Sequence, residues 1–300
     1  MAVSLKFNNF QNKSISLPSR SHPTTIRIEE ELNKIKTSTS TSTTSCADNI
    51  CNGLSQLVEL HHFMDHLLVL PATQSLISLD PKATWVEEIM DSSMKLLDVC
   101  NIIRDIVFQM EEHVQDLQCA LRKRNDHTGI DNSIANYNSF RKKTKKNAKE
   151  LIMVLKQSQK VMGLVADPDN HHLTSLIRVL MEVAEVTISL FELLVIYISA
   201  SDLKCNGWSL AVSKLIHKGA VACKEDEKYK GTMNELEAVD VSLLKILRNG
   251  VEQTPNNIMQ MTLCRLEDML AKMQRIESGL QCLFRVLVRT RASLLNIISL

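Results

Sequence analysis

Residues 80–121 read DPKATWVEEIMDSSMKLLDVCNIIRDIVFQMEEHVQDLQCAL. Written in heptads, one seam collects Val86, Ile89, Ser93, Leu96, Cys100, Ile103, Val107, Met110, Val114, Leu117 and Leu121. Apolar residues that recur every three or four positions mark the stripe an α-helix buries. Asp80 stands as an N-cap with Pro81 at the first helical position, a pairing that starts helices. Before Val107 the stripe is widened by Met90, Leu97, Val99, Ile102 and Ile106; after it the flanks turn polar with Glu111, Glu112, Gln115 and Asp116. The first half is therefore expected among several helices and the second half beside fewer.

The same period extends in both directions. Residues 53–70 place Leu54, Leu57, Leu60, Met64 and Leu67 on one face, and Pro71 ends that helix. Downstream, residues 122–133 form a charged turn around Thr128 and Gly129, and a long helix with a basic first half follows from about 133 to 164. Asp167-Pro168 repeats the cap-and-proline signal. The helix it opens, running to about 200, carries Leu173, Leu176, Ile177, Leu180, Val183, Leu190, Leu194 and Tyr197 on most sides. It is expected to be the most buried element, and Glu192 in its middle argues against a membrane span. Asn206-Gly207 marks a turn, followed by a short helix at 210–217 and a charged linker at 224–230. Helices at 234–248 and 256–298 close the chain, the last with a seam of Leu266, Met269, Met273, Ile276, Leu280, Leu283, Leu287, Leu294 and Ile297. The expected fold is all-α: an elongated antiparallel bundle forming one domain over 47–300. A disordered Ser/Thr-rich tail, 1–46, precedes it and holds one short helix at 29–36.

Composition excludes much else. Among 300 residues there are only 8 Gly and 6 Pro, too few for the turns of an all-β domain. No two glycines lie within ten residues of each other, so no phosphate-cradling loop exists. Lys+Arg 35 balances Asp+Glu 34, and no global charge points to nucleic acid or membrane. None of the eight cysteines belongs to a C-x-x-C pair; they read as reduced thiols of an intracellular protein. The expected location is the cytoplasm. The Ser-rich, acid-poor start of the tail keeps a plastid transit peptide in play, and the basic run below keeps nuclear import in play.

Candidate chemistry is sparse. His62 and His66 are spaced i, i+4 near His61, and Asp65 and Cys51 could complete a metal set, but H-E-x-x-H is absent. They read as polar-face histidines. Glu87-Glu88 and Glu111-Glu112 point about 100° apart on their helices and do not share a site. No catalytic residue, cofactor or metal is assigned. The one charge asymmetry is Arg141, Lys142, Lys143, Lys145, Lys146 and Lys149, with Arg122-Lys123-Arg124 upstream. This stretch is expected to be solvent-exposed on a helix. It either pairs with Glu111, Glu112 and Asp116 across a helical hairpin or binds an anionic membrane surface or acidic partner. Base stacking is thinly supplied by Tyr137 and Phe140, so nucleic acid is disfavoured. In the tail, Lys13-Ser14-Ile15-Ser16-Leu17-Pro18 has the form read by 14-3-3 proteins once Ser16 is phosphorylated, with Pro18 turning the chain.

Several segments resemble the plant-specific BYPASS-related family. The most specific is residues 85–100, WVEEIMDSSMKLLDVC, followed by Arg104-Asp105 and the run 112–124. Ser16 to Pro23, 28–34, 53–57, 70–74, 140–143 and 266–268 are similar in the expected order. The resemblance implies a role in root and shoot development with no known enzymatic activity or cofactor. The protein is thus expected to be a non-enzymatic helical interaction or scaffold protein, or a peripheral membrane adaptor held by the basic region 122–149.

Overall fold

A computed structural model describes residues 23–41, 47–78, 83–123, 127–161, 171–199 and 234–299. Among the described residues there are eight helices and no strand: α1 (Pro23–Thr41), α2 (Ala47–Val69), α3 (Pro71–Ser78), α4 (Thr84–Lys123), α5 (His127–Val161), α6 (His171–Ser199), α7 (Glu235–Asn249) and α8 (Asn256–Ile298). The pairs Asp80-Pro81, Asp167-Pro168 and Asn206-Gly207, the short helix at 210–217 and the linker at 224–230 lie outside the described residues.

The bundle is organised by α8. At 43 residues it extends about 65 Å, and every one of its nine seam residues is buried. It runs antiparallel to α4: Cys100 donates to the Leu280 carbonyl at 3.9 Å, Arg122 pairs with Glu267, and Arg291 donates to the Met90 carbonyl. It runs parallel to α2, since Asp48 meets Arg275 and Asp65 meets Thr290. The bundle is therefore antiparallel between chain neighbours but not throughout. Close approach on both sides of α2 comes from glycine. A Cβ on Gly279 of α8 would stand 3.0 Å from Leu54 of α2, and one on Gly53 of α2 would stand 2.8 Å from Leu190 of α6.

The seam of α4 is buried from Leu96 to Leu121, with Ile103, Val107, Met110, Val114 and Leu117 at 0% exposure. In neighbours the expected asymmetry holds, since the first half faces α2, α6 and α8 and the second half α5 and α8. In burial it does not: over 84–95 only Val86 is buried, and Ile102 is exposed. The second half is gripped as closely as the middle, because α5 and α8 flank it on two sides; His113 stacks against Phe140 of α5 at 4.6 Å. α6 is covered as anticipated: Arg178 is the one exposed side chain among those described in it. No described helix is long and apolar enough to cross a membrane.

Two readings at the N-terminus are corrected. The tail helix is not confined to 29–36. It begins at Pro23, continues into the Ser/Thr run as far as Thr41, and packs on α2 and α6. Ile28, Leu32 and Ile35 follow the i, i+4, i+7 spacing and enter the common core. Lys36–Glu182 at 2.9 Å and Glu29–Arg178 at 2.5 Å fasten its rim. Pro71 ends α2 but also opens α3, as a proline at the first helical position can. A third correction concerns α5, which starts at His127, so Thr128 and Gly129 are helical rather than a turn.

Ile103→Asp places an unpaired charge at the centre of the α4 seam. It is expected to destabilise by about 4 kcal/mol or more in urea unfolding; a parental midpoint would refute the assigned packing.

Candidate functional site: the cationic face of α5

α5 has two faces with opposite chemistry. Ile134, Tyr137, Arg141, Thr144, Ala148, Leu151, Ile152 and Leu155 are buried at helical spacing. The expectation that the whole basic stretch stays in solvent fails at Arg141, which is 3% exposed. Its guanidinium grips Asp240 of α7: Nη2 donates to Oδ2 at 3.0 Å and Nε to Oδ1 at 3.2 Å. Nη1 donates to the Ile198 carbonyl of α6 at 2.5 Å. The Tyr137 hydroxyl donates to the same Asp240 at 2.8 Å. Burial and the Asp240 charge push the Tyr137 phenol well above its ordinary pKa. One carboxylate thus compensates a buried cation, and the guanidinium it holds ties α5, α6 and α7 together. In sequence Asp240 lies 99 residues from Arg141, and no local pattern links them. α7 is set in place by a capping box in which Asn234 and Glu237 exchange bonds. Arg265 of α8 donates to Ser242 and to the Ala238 carbonyl.

The other face is cationic. Lys142, Lys143, Lys145, Lys146 and Lys149 are all exposed, spread over an arc of about 160° at 100° per residue. Glu150 is the one acid interleaved at its edge. Among the described residues none of the five lysines forms an ion pair. None of the acids expected to neutralise them, Glu111, Glu112 and Asp116, forms an ion pair with them among the described residues. Glu111 is half-buried; burial and the facing Glu277 of α8 raise its carboxyl to about 7. Arg122 is taken by Glu267 at 2.8 Å. The hairpin does bring α4 and α5 together, but it presents His113 rather than the acids to Phe140.

The histidine cluster does not converge. His61 is buried and bonded to Thr187 of α6, while His66 is exposed. Asp65 turns to α8, where Thr290 donates to it at 2.8 Å and Arg289 stands 3.9 Å away; its burial raises the carboxyl pKa. Among the described residues no group of three or more His, Cys, Asp or Glu is gathered for a metal. None of the five described cysteines forms a disulfide, and burial pushes the Cys100 thiol up to about 12. Ser16 and Pro18 lie outside the described residues.

A family model described as Protein BPS1 matches residues 53–297. The chain belongs to the BPS1 family. This agrees with the BYPASS-related resemblance read from residues 85–100 and their neighbours. The BPS1 match begins within α2 and ends within α8, so it includes the lysine face but neither α1 nor Ser16. No curated protein and no solved structure matches the chain.

The two faces of α5 should separate on substitution. Asp240→Ala strands a buried guanidinium and is expected to cost about 3–5 kcal/mol. Replacing any one of the five lysines by Gln is expected to change stability by less than about 0.5 kcal/mol. Urea unfolding of the six variants measures both.

Proposed function

We propose that this BPS1-family protein is a non-enzymatic helical scaffold of plant root and shoot development whose α5 lysine face rests on an anionic surface. The observation that carries the reading is the five-lysine arc, free of ion pairs among the described residues, on a helix whose opposite face is locked by Arg141 and Asp240. Like charges three and four positions apart on this face, such as Lys142 and Lys146 or Lys145 and Lys149, repel one another. An external anion laid against the face offsets that repulsion. Five lysines at about 1 kcal/mol each near an anionic bilayer give ~5 kcal/mol, an affinity on the order of 0.2 mM. A bound protein partner would add to this, and the cytoplasm is the compartment the reading requires. A second docking element is the tail motif, in which phosphorylated Ser16 with Pro18 offers a dianion to the Arg cluster of a 14-3-3 protein.

Vesicle sedimentation tests the surface. The full chain is expected to sediment with phosphatidylcholine vesicles containing phosphatidylserine at low salt, and several-fold less at physiological salt. Neutral vesicles should leave it in solution, as should replacement of all five lysines by Gln. Equal binding to both vesicle types, or to neither, rejects the membrane contact. For the tail, a Ser16-phosphorylated peptide spanning residues 13–23 should bind a 14-3-3 protein more tightly than about 100 μM, which is roughly 5.5 kcal/mol. Absence of binding at that concentration removes this element.

A further inference from the structure

A cavity of about 550 Å³ lies between α2, α4, α6 and α8, with Ser158 of α5 also in its wall, within the size range of small-molecule sites. Its wall is mostly apolar, with Met64, Leu96, Leu180, Met181 and Leu287 among the lining residues. Among the described residues the first turns of α4 border this cavity, with Trp85, Ile89 and Met90 partly buried against the core.

Three residues of this wall each carry a polar atom that is buried without a hydrogen-bond partner: Nδ1 of His61, Oε2 of Glu88 and Oγ of Ser92. An orphaned buried polar group costs about 1–3 kcal/mol, so three at one cavity call for an explanation. His61 is the deepest, at 2% exposure. Its bonding fixes its tautomer. Thr187 donates its own hydroxyl hydrogen to the Val183 carbonyl at 2.8 Å. The Thr187 oxygen therefore accepts from His61 Nε2–H at 3.2 Å, and Nδ1 is left with a bare lone pair. Thr187 is not part of the cavity wall, whereas His61 is. Burial, reinforced by the adjacent His62, holds the imidazole down to about 4, so the ring is neutral at pH 7.

Glu88 and Ser92 are spaced i, i+4 on α4 and so share one face. Glu88 Oε2 accepts, and Ser92 Oγ either donates or accepts. The missing partner must therefore be a donor. An anion is disfavoured as well, because Glu87, Glu88 and Asp91 line the α4 side against the single Lys95, itself 3.7 Å from Asp91.

We propose that this cavity binds a small apolar molecule bearing a hydroxyl group, which donates its O–H to Nδ1 of His61. The site is separate from the α5 lysine face and independent of it.

The test uses two probes with the same ring system, 4-phenylphenol and its methyl ether 4-methoxybiphenyl, in equilibrium dialysis against the full chain. The ether is the more apolar of the two, so partition into greasy surface favours it, while donation to His61 favours the phenol. The expected result is saturable binding of the phenol at least tenfold tighter than the ether. His61→Phe should erase that preference, and Ala184→Phe, which fills the cavity from α6, should remove binding of both. Far-UV circular dichroism confirms that each variant is folded; the wild-type comparison needs no variant. Equal affinities for the two probes, no saturable binding of either, or a phenol preference that survives His61→Phe would overturn the proposal.

Discussion

A helix of 40 or 43 residues is not held straight in water by its own hydrogen bonds. It needs an apolar stripe covered along its whole length. In this protein α4 and α8 cover each other, antiparallel, from Arg122 beside Glu267 at one end to Met90 beside Arg291 at the other. That shared seam sets the length of the molecule and the axis along which every other helix is laid. α2 lies parallel to α8, α5 follows α4 back through a short connection, and α7 returns along α8. Removing the seam would leave each of these without the surface it is packed on.

Polar groups inside such a bundle are tolerated only where a partner from another helix reaches them. Arg141 enters the core because Asp240 and the Ile198 carbonyl meet it there. Asp65 is buried against Thr290. The rule is not met everywhere: Thr144, Glu192 and one oxygen of Asp65 keep a buried atom without a hydrogen-bond partner, and at the cavity beside the first turns of α4 three such atoms, on His61, Glu88 and Ser92, fall together. The lysine arc presents the complementary situation at the surface: charge that costs nothing to solvate, left available by a helix that is fully anchored on its other side. One end of the protein's chemistry is thus an outward electrostatic face, and the other is an inward pocket with a single kind of polar demand.

The helical elements were largely legible in the sequence. α8 was readable to its ends, since its seam from Leu266 to Ile297 is interrupted only at Thr290 and Pro255 stands just before it. α6 was readable because its apolar residues surround it, which only a buried helix allows. α1 and α3 were less so. Their apolar positions are few, and Ser and Thr are weak helix formers, so the contact of Ile28, Leu32 and Ile35 with the common core is what holds α1. The widened stripe of α4 was visible, but which flank would be covered depended on where α5 and α8 lie.

Local sequence therefore determined which segments coil and which stripe each one must hide, because both follow from spacing at 3.6 residues per turn within a single element. Tertiary structure alone decided the fate of the ionisable groups. Arg141 and Lys142 are neighbours of like charge in one basic run, yet one is a core residue and the other faces solvent. What separates them is Asp240, brought 99 residues along the chain to the one point where a guanidinium could be desolvated without being left unpaired.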